Sequence, residues 1–188
     1  MLCISVEEFL FWKKKQLSKG GDQPSFALLL DCIGGISSSD LNLKSINPKE
    51  DIHLNKNLEF LESVWDDHLL KSCPIQYLCG ITFWRDLKLK VTNKVLIPRP
   101  ETELIVEIVF NIFRKKSEKL FFAELGTGSG AISIALALAY PFSEGVATDI
   151  DQDALEIANK NFINSSKQSN LKFDCGIGGH LLKVLKEN

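Results

Sequence analysis

Apolar residues recur at helical spacing through residues 1–72 and alternate with polar ones only further on. A serine–glutamate capping box at Ser5 opens the first helix, which a glycine pair ends. A second helix is predicted over 24–33, and Asn55 or Asn57 caps a third. Residues 1–72 are therefore predicted to form a small all-helical domain.

The second part of the chain carries a different pattern. Residues 81–98 alternate apolar and polar side chains, which predicts a β-hairpin, and a helix follows from Pro100 to about Arg114. From Leu120 onward, short apolar runs alternate with helical segments, which predicts an α/β fold with a parallel sheet and helices on both faces. The predicted strands are 120–125, 145–149 and 171–174, and the predicted helices are 131–140 and 152–164.

Composition narrows the function classes. The chain has 188 residues, a net charge of −2 and 45% hydrophobic residues, which is typical of a globular protein. No apolar run is long enough for a membrane span, and no basic stripe favours direct nucleic-acid binding. The cysteines number five with no C-x-x-C pair, so neither a disulfide framework nor a metal site is expected. Without a secretory signal pattern, a cytoplasmic location is expected.

A glycine-rich turn joins the first predicted strand of the sheet to its helix. Gly126, Gly128 and Gly130 alternate with other residues, which exposes backbone amides at a helix N-terminus to a ligand. The spacing is G-x-G-x-G with Ala131 in the last position of a dinucleotide fingerprint, which only mildly disfavours a dinucleotide. Glu124, at the end of the strand, suits a cationic group better than a pyrophosphate.

A second acid follows the loop at the spacing of a ribose-binding residue. Asp149 ends the next predicted strand, about 20 residues after the loop, where a carboxylate accepts hydrogen bonds from ribose hydroxyls. The alternative role for Asp149 is to cap the following helix, for which Asp151 is better placed. This arrangement resembles the S-adenosylmethionine loop of class I methyltransferases.

Two prolines hold residues 98–103 extended before the next helix. This Pro-Arg-Pro-Glu-Thr-Glu block starts a helix well, because Pro100 fits the first turn and acids follow it. Taken alone, a rigid lead-in and a ligand-contacting role are equally compatible with it.

Four segments in order resemble one family, the HemK-type release-factor glutamine-N5 methyltransferases. The segments are 76–80 (Gln-Tyr-Leu-Cys-Gly), 83–84 (Phe-Trp), 96–103 and 124–131. The Ile-Pro-Arg-Pro-Glu-Thr-Glu block is the most specific, because other class I methyltransferases share only the loop. The resemblance implies an N-terminal helical bundle, a hairpin linker and a partial Rossmann-like methyltransferase domain with the first three strands. The expected boundaries are 1–72 for substrate recognition, 73–99 for the linker and 100–188 for the incomplete cofactor-binding domain.

The resemblance also implies the site, the cofactor and the partner. S-adenosylmethionine is the expected cofactor, and the glutamine of the Gly-Gly-Gln loop of peptide chain release factors is the expected substrate. The residues expected to bind the cofactor are Glu124, Gly126, Thr127, Gly128, Ser129, Gly130 and Asp149. The expected neighbours of the active site are Arg99, Glu101 and Thr102.

The family's catalytic motif, Asn-Pro-Pro-Tyr, does not occur in this sequence, so no catalytic residue is assigned. The chain resembles a family member truncated at its C-terminus, and we expect no measurable methylation by these 188 residues. The tail 177–188 lacks the amide–aromatic pair expected near adenine. A frameshift near codon 177 is one hypothesis for the tail, and a genuine variant with a C-terminal helix is the other.

Three other functions stay open at this point. The helical domain could bind a release factor without chemistry. An adenine-N6 nucleic-acid methyltransferase shares the Asn-Pro-Pro-Tyr chemistry, but the chain has no basic stripe. A nicotinamide oxidoreductase is disfavoured by Glu124, so S-adenosylmethionine is expected to bind in preference to NAD.

Overall fold

The computed structural model describes residues 2–46, 51–115, 117, 119–165 and 170–176. Internal contacts divide the chain into two compact units, Met1–Gly80 and Ile81–Asn188. This division falls inside the predicted linker 73–99, and the domain boundaries derived from the sequence stay a prediction. Both hypotheses about the tail concern residues outside the described part of the chain.

The N-terminal unit is mainly helical, and the sequence signals place its helix starts. Its helices are α1 (Val6–Ser18), α2 (Gln23–Leu29), α3 (Ser38–Ile46), α4 (Leu58–Leu70) and α5 (Ile75–Cys79), and α2 continues as a π-helical turn, Leu30–Gly34. The Ser5 hydroxyl accepts a hydrogen bond from the Glu8 amide at 3.2 Å, which confirms the predicted cap. Asn57 caps α4, because its side-chain oxygen accepts from the Phe60 amide at 3.0 Å.

The prediction that this unit is all-helical was wrong. Strand β1 (Leu2–Ile4) pairs antiparallel with β2 (Ile52–Leu54), and the sequence reading also missed α3. Strands of three residues are too short to show a two-residue period, so the chain pattern carries no signal for them. They are held by burial, since Ile4, Ile52 and Leu54 lie in the core of the unit.

An aromatic cluster fills the centre of the N-terminal unit. Phe9, Trp12, Phe26 and Trp65 are buried, and their rings follow one another at centroid distances of 5.7, 5.7 and 4.9 Å. The Trp65 indole N–H donates to the Gln16 carbonyl at 3.2 Å. These side chains are therefore core residues, and this cluster defines the packing of the unit.

The C-terminal unit contains a hairpin followed by alternating strands and helices. Its elements are β3 (Ile81–Trp84), β4 (Leu87–Lys90), a 3₁₀ turn (Pro100–Thr102), α6 (Glu103–Ile112), β5 (Phe121–Leu125), α7 (Ala131–Ala139), β6 (Glu144–Asp149), α8 (Gln152–Ser165) and β7 (Asn170–Cys175). Strands β5, β6 and β7 form a parallel sheet in that order. The predicted parallel sheet with its two crossover helices is confirmed.

The hairpin is shorter than predicted. Strands β3 and β4 pair antiparallel from Ile81 to Lys90, and the apolar run 95–98 that was included in the prediction is not a strand. There the Val95 amide closes a turn by donating to the Thr92 carbonyl at 3.1 Å, and Pro98 has no amide hydrogen to offer a ladder.

The parallel register places the ends of the strands together. Leu125, the last residue of β5, lies opposite Thr148, and Asp149 at the end of β6 lies opposite Cys175. Residues that follow β5 and β6 therefore meet at the carboxyl edge of the sheet, where open α/β sheets bind ligands.

Within the described residues, no helix is long and apolar enough to cross a membrane.

Candidate cofactor-binding site

The loop between β5 and α7 is held in a conformation that requires glycine. Gly126, Gly128 and Gly130 have φ angles of 70°, 55° and 82°, in the left-handed region that other residues rarely adopt. A Cβ added at Gly126 or Gly128 would meet no atom within 4 Å. Close packing therefore does not explain why these two positions are glycine. The open space beside them leaves the backbone accessible to a ligand.

Glu124 ties this loop to the start of α7. One of its carboxylate oxygens, Oε2, accepts hydrogen bonds from the Thr127 hydroxyl at 2.8 Å and from the Ser133 amide at 3.1 Å. The same oxygen accepts from the Ser133 hydroxyl. Gly130, the N-cap residue of α7, has no side chain to cap the helix, so the negative Glu124 satisfies an amide of its first turn instead.

Asp149 holds the loop from the neighbouring strand. Its Oδ2 accepts from the Gly128 amide at 2.8 Å, and its Oδ1 accepts from the Asp151 amide at 3.0 Å. Asp151 caps the N-terminus of α8, because its carboxylate accepts a hydrogen bond from the Asp153 amide at 2.8 Å. Asp149 therefore does not cap α8, and its carboxylate is fixed at the loop.

Thr127 and Ser129 contribute to the loop mainly through its internal structure. Both are buried, at 6% and 3% exposure. The Thr127 amide donates to the Thr148 carbonyl at 2.9 Å, and the Gly130 amide donates to the Thr127 carbonyl at 2.9 Å. Their side chains therefore do not line an open surface, and the loop presents backbone rather than hydroxyl groups.

Two carboxylates lie at this edge without a cation. Burial raises the pKa of Glu124, and the hydrogen bonds that it accepts offset part of that rise. The negative charge of Asp149 adds to the rise. Among the described residues, neither carboxylate forms an ion pair, so a positively charged ligand group would relieve their repulsion.

Asn161, on α8, belongs to the site although no sequence motif marks it. It is buried, and its amide nitrogen donates to the Ser129 carbonyl at 2.9 Å. A lone asparagine within an amphipathic helix has no motif around it, and only the folded arrangement brings it to the loop.

The extended block before α6 is anchored by its backbone. The Trp84 indole N–H donates to the Arg99 carbonyl at 3.0 Å, and the Thr102 amide donates to the same oxygen at 3.1 Å. Arg99 and Glu101 are exposed and Thr102 is half-buried. No described hydrogen bond or ion pair joins these three side chains to the glycine loop, so their place next to an active site stays a prediction.

Metal ligation finds no support in this part of the chain. Among the described residues, no group of three or more His, Cys, Asp or Glu side chains is arranged to hold a metal ion. The site is thus built from two carboxylates, a bare loop and a helix N-terminus.

Sequence comparison connects the chain to a set of curated proteins, although no family model matches it. A release factor glutamine methyltransferase of Prochlorococcus marinus is 40% identical over 177 residues, which are 92% of this chain and 59% of that protein. Proteins of the same name from Coxiella burnetii and Synechocystis are 41% and 34% identical over 90% and 97% of this chain, and 58% and 63% of their own lengths. The chain thus spans about three fifths of the curated relatives that it matches.

Solved structures give weaker likenesses. A SAM-dependent methyltransferase from Agrobacterium tumefaciens aligns with a TM-score of 0.47 and 16% identity over 57% of this chain and 35% of that one. The N-terminal domain of human METTL16 aligns with a TM-score of 0.41 and 15% identity over 85% of this chain and 57% of that one. In sequence the chain is a relative of the release factor glutamine methyltransferases, and its sheet of three parallel strands with flanking helices is a partial Rossmann-like methyltransferase fold.

Proposed function

We propose that the C-terminal unit binds S-adenosylmethionine at the carboxyl edge of its sheet, as part of a methyltransferase that acts on release factors. The observation that carries this proposal is geometric: the carboxylates of Glu124 and Asp149 both hydrogen-bond to the loop 126–130 or its flanks, and the glycines of that loop leave open space. S-adenosylmethionine has a sulfonium and an ammonium group, so its positive charge complements the two acids.

The residues that would hold the cofactor fit its parts. The loop 126–130 offers backbone to the methionine portion, and Asp149 keeps lone pairs for the ribose hydroxyls while it orients the Gly128 amide. Glu124 supplies negative charge at the end of β5. When bound, the cofactor supplies an electrophilic methyl group, and this chain's contribution is to bind and orient that donor.

We propose, from the names of the curated relatives, that the methyl acceptor is a glutamine of a peptide chain release factor, in its Gly-Gly-Gln loop. Transfer requires the acceptor nitrogen to be aligned with the methyl group. The Asn-Pro-Pro-Tyr motif that would align it does not occur in these 188 residues. We therefore expect this chain alone to bind the cofactor without methylating a release factor.

Calorimetric titration of the purified chain tests the cofactor assignment. S-adenosylmethionine and S-adenosylhomocysteine are expected to bind and NAD is not. The Asp149→Asn variant should lose about tenfold or more in affinity, since it removes a carboxylate from the ribose position. Asp86→Asn, at an exposed hairpin position, is the matched control and should bind as the unmodified chain does. Absence of S-adenosylmethionine binding by the folded chain would overturn the proposal.

We also propose that the predicted recognition domain, residues 1–72, contacts the release factor. Immobilised full-length chain should retain a purified release factor in a pull-down experiment, whether or not the cofactor is present. A variant substituted within residues 1–72 that still binds S-adenosylmethionine but no longer captures the release factor would locate the contact in this domain. Failure of the unmodified chain to capture any release factor would contradict it.

A further inference from the structure

Asn161 makes three hydrogen bonds that join two elements distant in sequence. Its Oδ1 accepts from the Lys90 amide at 2.7 Å, and its Nδ2 donates to the Lys90 carbonyl at 3.0 Å. The second hydrogen of Nδ2 goes to the Ser129 carbonyl at 2.9 Å. Asn161 is 1% exposed. Its bond to Ser129 is buried, and its two bonds to Lys90 are partly buried.

The first two bonds make Asn161 a substitute for a neighbouring strand. The primary amide pairs with both the N–H and the C=O of Lys90, as a paired residue in a β-ladder would. The hairpin is thereby fixed to α8. Because both hydrogens of the amide are used, removing the amide takes away the partner of the Ser129 carbonyl and of the Lys90 N–H and C=O groups.

The third bond acts on the glycine loop. Ser129 lies between Gly128, whose amide is bound by Asp149, and Gly130, which has φ of 82°. Holding the Ser129 carbonyl fixes the plane of the peptide that joins it to Gly130. Asp149 and Asn161 therefore hold two consecutive parts of the loop, one from β6 and the other from α8.

The hairpin is also hydrogen-bonded to the extended block 98–103 before α6. Trp84, on β3, donates its indole hydrogen to the Arg99 carbonyl, and Trp84 lies opposite Leu87 at the start of β4. Lys90 is the last residue of β4, and its amide donates to the Asn161 side chain. Hydrogen bonds at the two ends of the hairpin thus attach it to the backbone of Arg99 and, through Asn161, to the glycine loop.

We propose that Asn161 is a positioning residue that presets the glycine loop for S-adenosylmethionine and fixes the hairpin to it. The inference rests on the proposed cofactor function and deepens it. Asn161 acts through Ser129 and does not touch the cofactor. Its effect is therefore expected on cofactor affinity, in a folded protein, rather than on stability alone.

The test compares Asn161→Asp and Asn161→Ala with Asn159→Asp, a matched control at an exposed position of the same helix. Affinity for S-adenosylmethionine is measured by calorimetry at a temperature where circular dichroism shows every variant folded. Both Asn161 variants should bind about tenfold more weakly or worse. A second control, Val106→Ala in the buried core of the unit, should lower the unfolding temperature and leave the affinity within about twofold.

Measuring the affinity for S-adenosylmethionine at several pH values distinguishes a loss of loop positioning from a general loss of structure. The aspartate in Asn161→Asp is a donor only when protonated, and burial beside two carbonyl oxygens raises the pKa of such a group. Lowering the pH should therefore restore part of its affinity relative to the unmodified chain, while Asn161→Ala shows no such recovery. A folded Asn161→Asp or Asn161→Ala protein with unchanged affinity would overturn the proposal.

Hydrogen exchange keeps the inference separable from the cofactor assignment. Without any ligand, segments 88–91 and 126–131 should both exchange faster in the two Asn161 variants, and neither should in Asn159→Asp. If the unmodified chain fails to bind S-adenosylmethionine, the proposed function is wrong. The hydrogen-exchange rates without ligand still test whether Asn161 positions the loop. Unchanged exchange in segment 126–131 would contradict it.

Discussion

The two units of the chain bury different chemistry. In the N-terminal unit the buried interior is aromatic and aliphatic, and Gln16 is the single buried polar residue among those described there. Among the described residues of the C-terminal unit, seven polar side chains are buried, and five of them cluster around the loop after β5. These five are Thr127, Ser129, Ser133, Thr148 and Asn161.

This difference separates packing from site construction. Burying a polar group costs free energy unless it is hydrogen-bonded, so a cluster of such groups needs a compensating arrangement. Around the loop that arrangement exists for four of the five. Thr127 and Ser133 donate to the Glu124 carboxylate, Thr148 donates to the Glu124 carbonyl, and Asn161 donates to the Ser129 carbonyl. The N-terminal unit has no comparable network of buried polar side chains in its described residues.

One face of strand β5 in the C-terminal unit is apolar and exposed. Phe121 and Leu125, on the same face of β5, are 63% and 65% exposed. Strands of a parallel sheet are normally covered on both faces, so this face of the C-terminal unit is incompletely buried.

The largest expected effect is on the packing of the N-terminal unit. Trp65→Ala removes a fully buried ring in edge contact with Phe26 and should lower the free energy of unfolding by about 3–5 kcal/mol. Urea denaturation followed by circular dichroism measures this. Phe11→Ala, at a residue 73% exposed, should change it by less than about 0.5 kcal/mol. Equal effects of the two variants would contradict the proposed aromatic core.

A matched pair of glycines separates strain from ligand access. Gly126 and Gly80 have φ angles of 70° and 71°, and an added Cβ meets nothing within 4 Å at either position. Alanine at each should cost a similar free energy of unfolding, about 1 kcal/mol. Only Gly126→Ala should also weaken S-adenosylmethionine binding, by about tenfold. Calorimetry on both variants decides this, and an equal affinity loss for Gly80→Ala would break the distinction between the units.

Loss of a helix cap in the N-terminal unit should affect stability alone. Ser5→Ala removes the acceptor of the Glu8 amide and should cost about 1 kcal/mol of unfolding free energy. Cofactor affinity should not change, because the cap lies outside the unit that binds it. Ser18→Ala, at the exposed other end of α1, serves as control with an expected change below about 0.5 kcal/mol. A cofactor effect of Ser5→Ala would argue against independent roles.

The smallest expected effect is on pH dependence. Burial raises the pKa of Glu124 in the folded chain, so the folded state takes up a proton at a pH where the unfolded state has lost it. Its contribution therefore makes the free energy of unfolding fall as pH rises from the ordinary glutamate pKa through the raised one. Glu124→Gln should remove this slope while weakening cofactor binding. Denaturation midpoints across that pH range measure it, and an unchanged slope would contradict the assignment.

The sequence predicted what depends on local pattern. The strands around the loop, the two crossover helices and the caps at Ser5 and Asn57 follow from periodicity and from residue preferences at helix ends. Asp151 was also predicted to fit the cap of α8 better than Asp149, which the structure confirms. Asp149 was predicted to bind ribose, and its bond to the Gly128 amide was not predicted.

What depends on distant contacts could not be predicted. Strands β1 and β2 lie about 50 residues apart and are too short for a pattern to reveal their pairing. The sequence placed Glu124 beside a cation, but the folded chain also uses it to cap α7 through Ser133, a contact between a strand and the next helix. Asn161 was missed for the same reason, since a single amide acquires its role only when Lys90 and Ser129 come together.

Nuclear magnetic resonance titration of the ¹⁵N-labelled chain with S-adenosylmethionine shows whether the glycine loop binds the cofactor. We expect saturable shifts of the amide signals of Gly126, Gly128, Gly130 and Asp149, with the signals of the N-terminal unit unchanged. A titration in which none of these loop signals moves, or in which the shifts fall in the N-terminal unit, would contradict it.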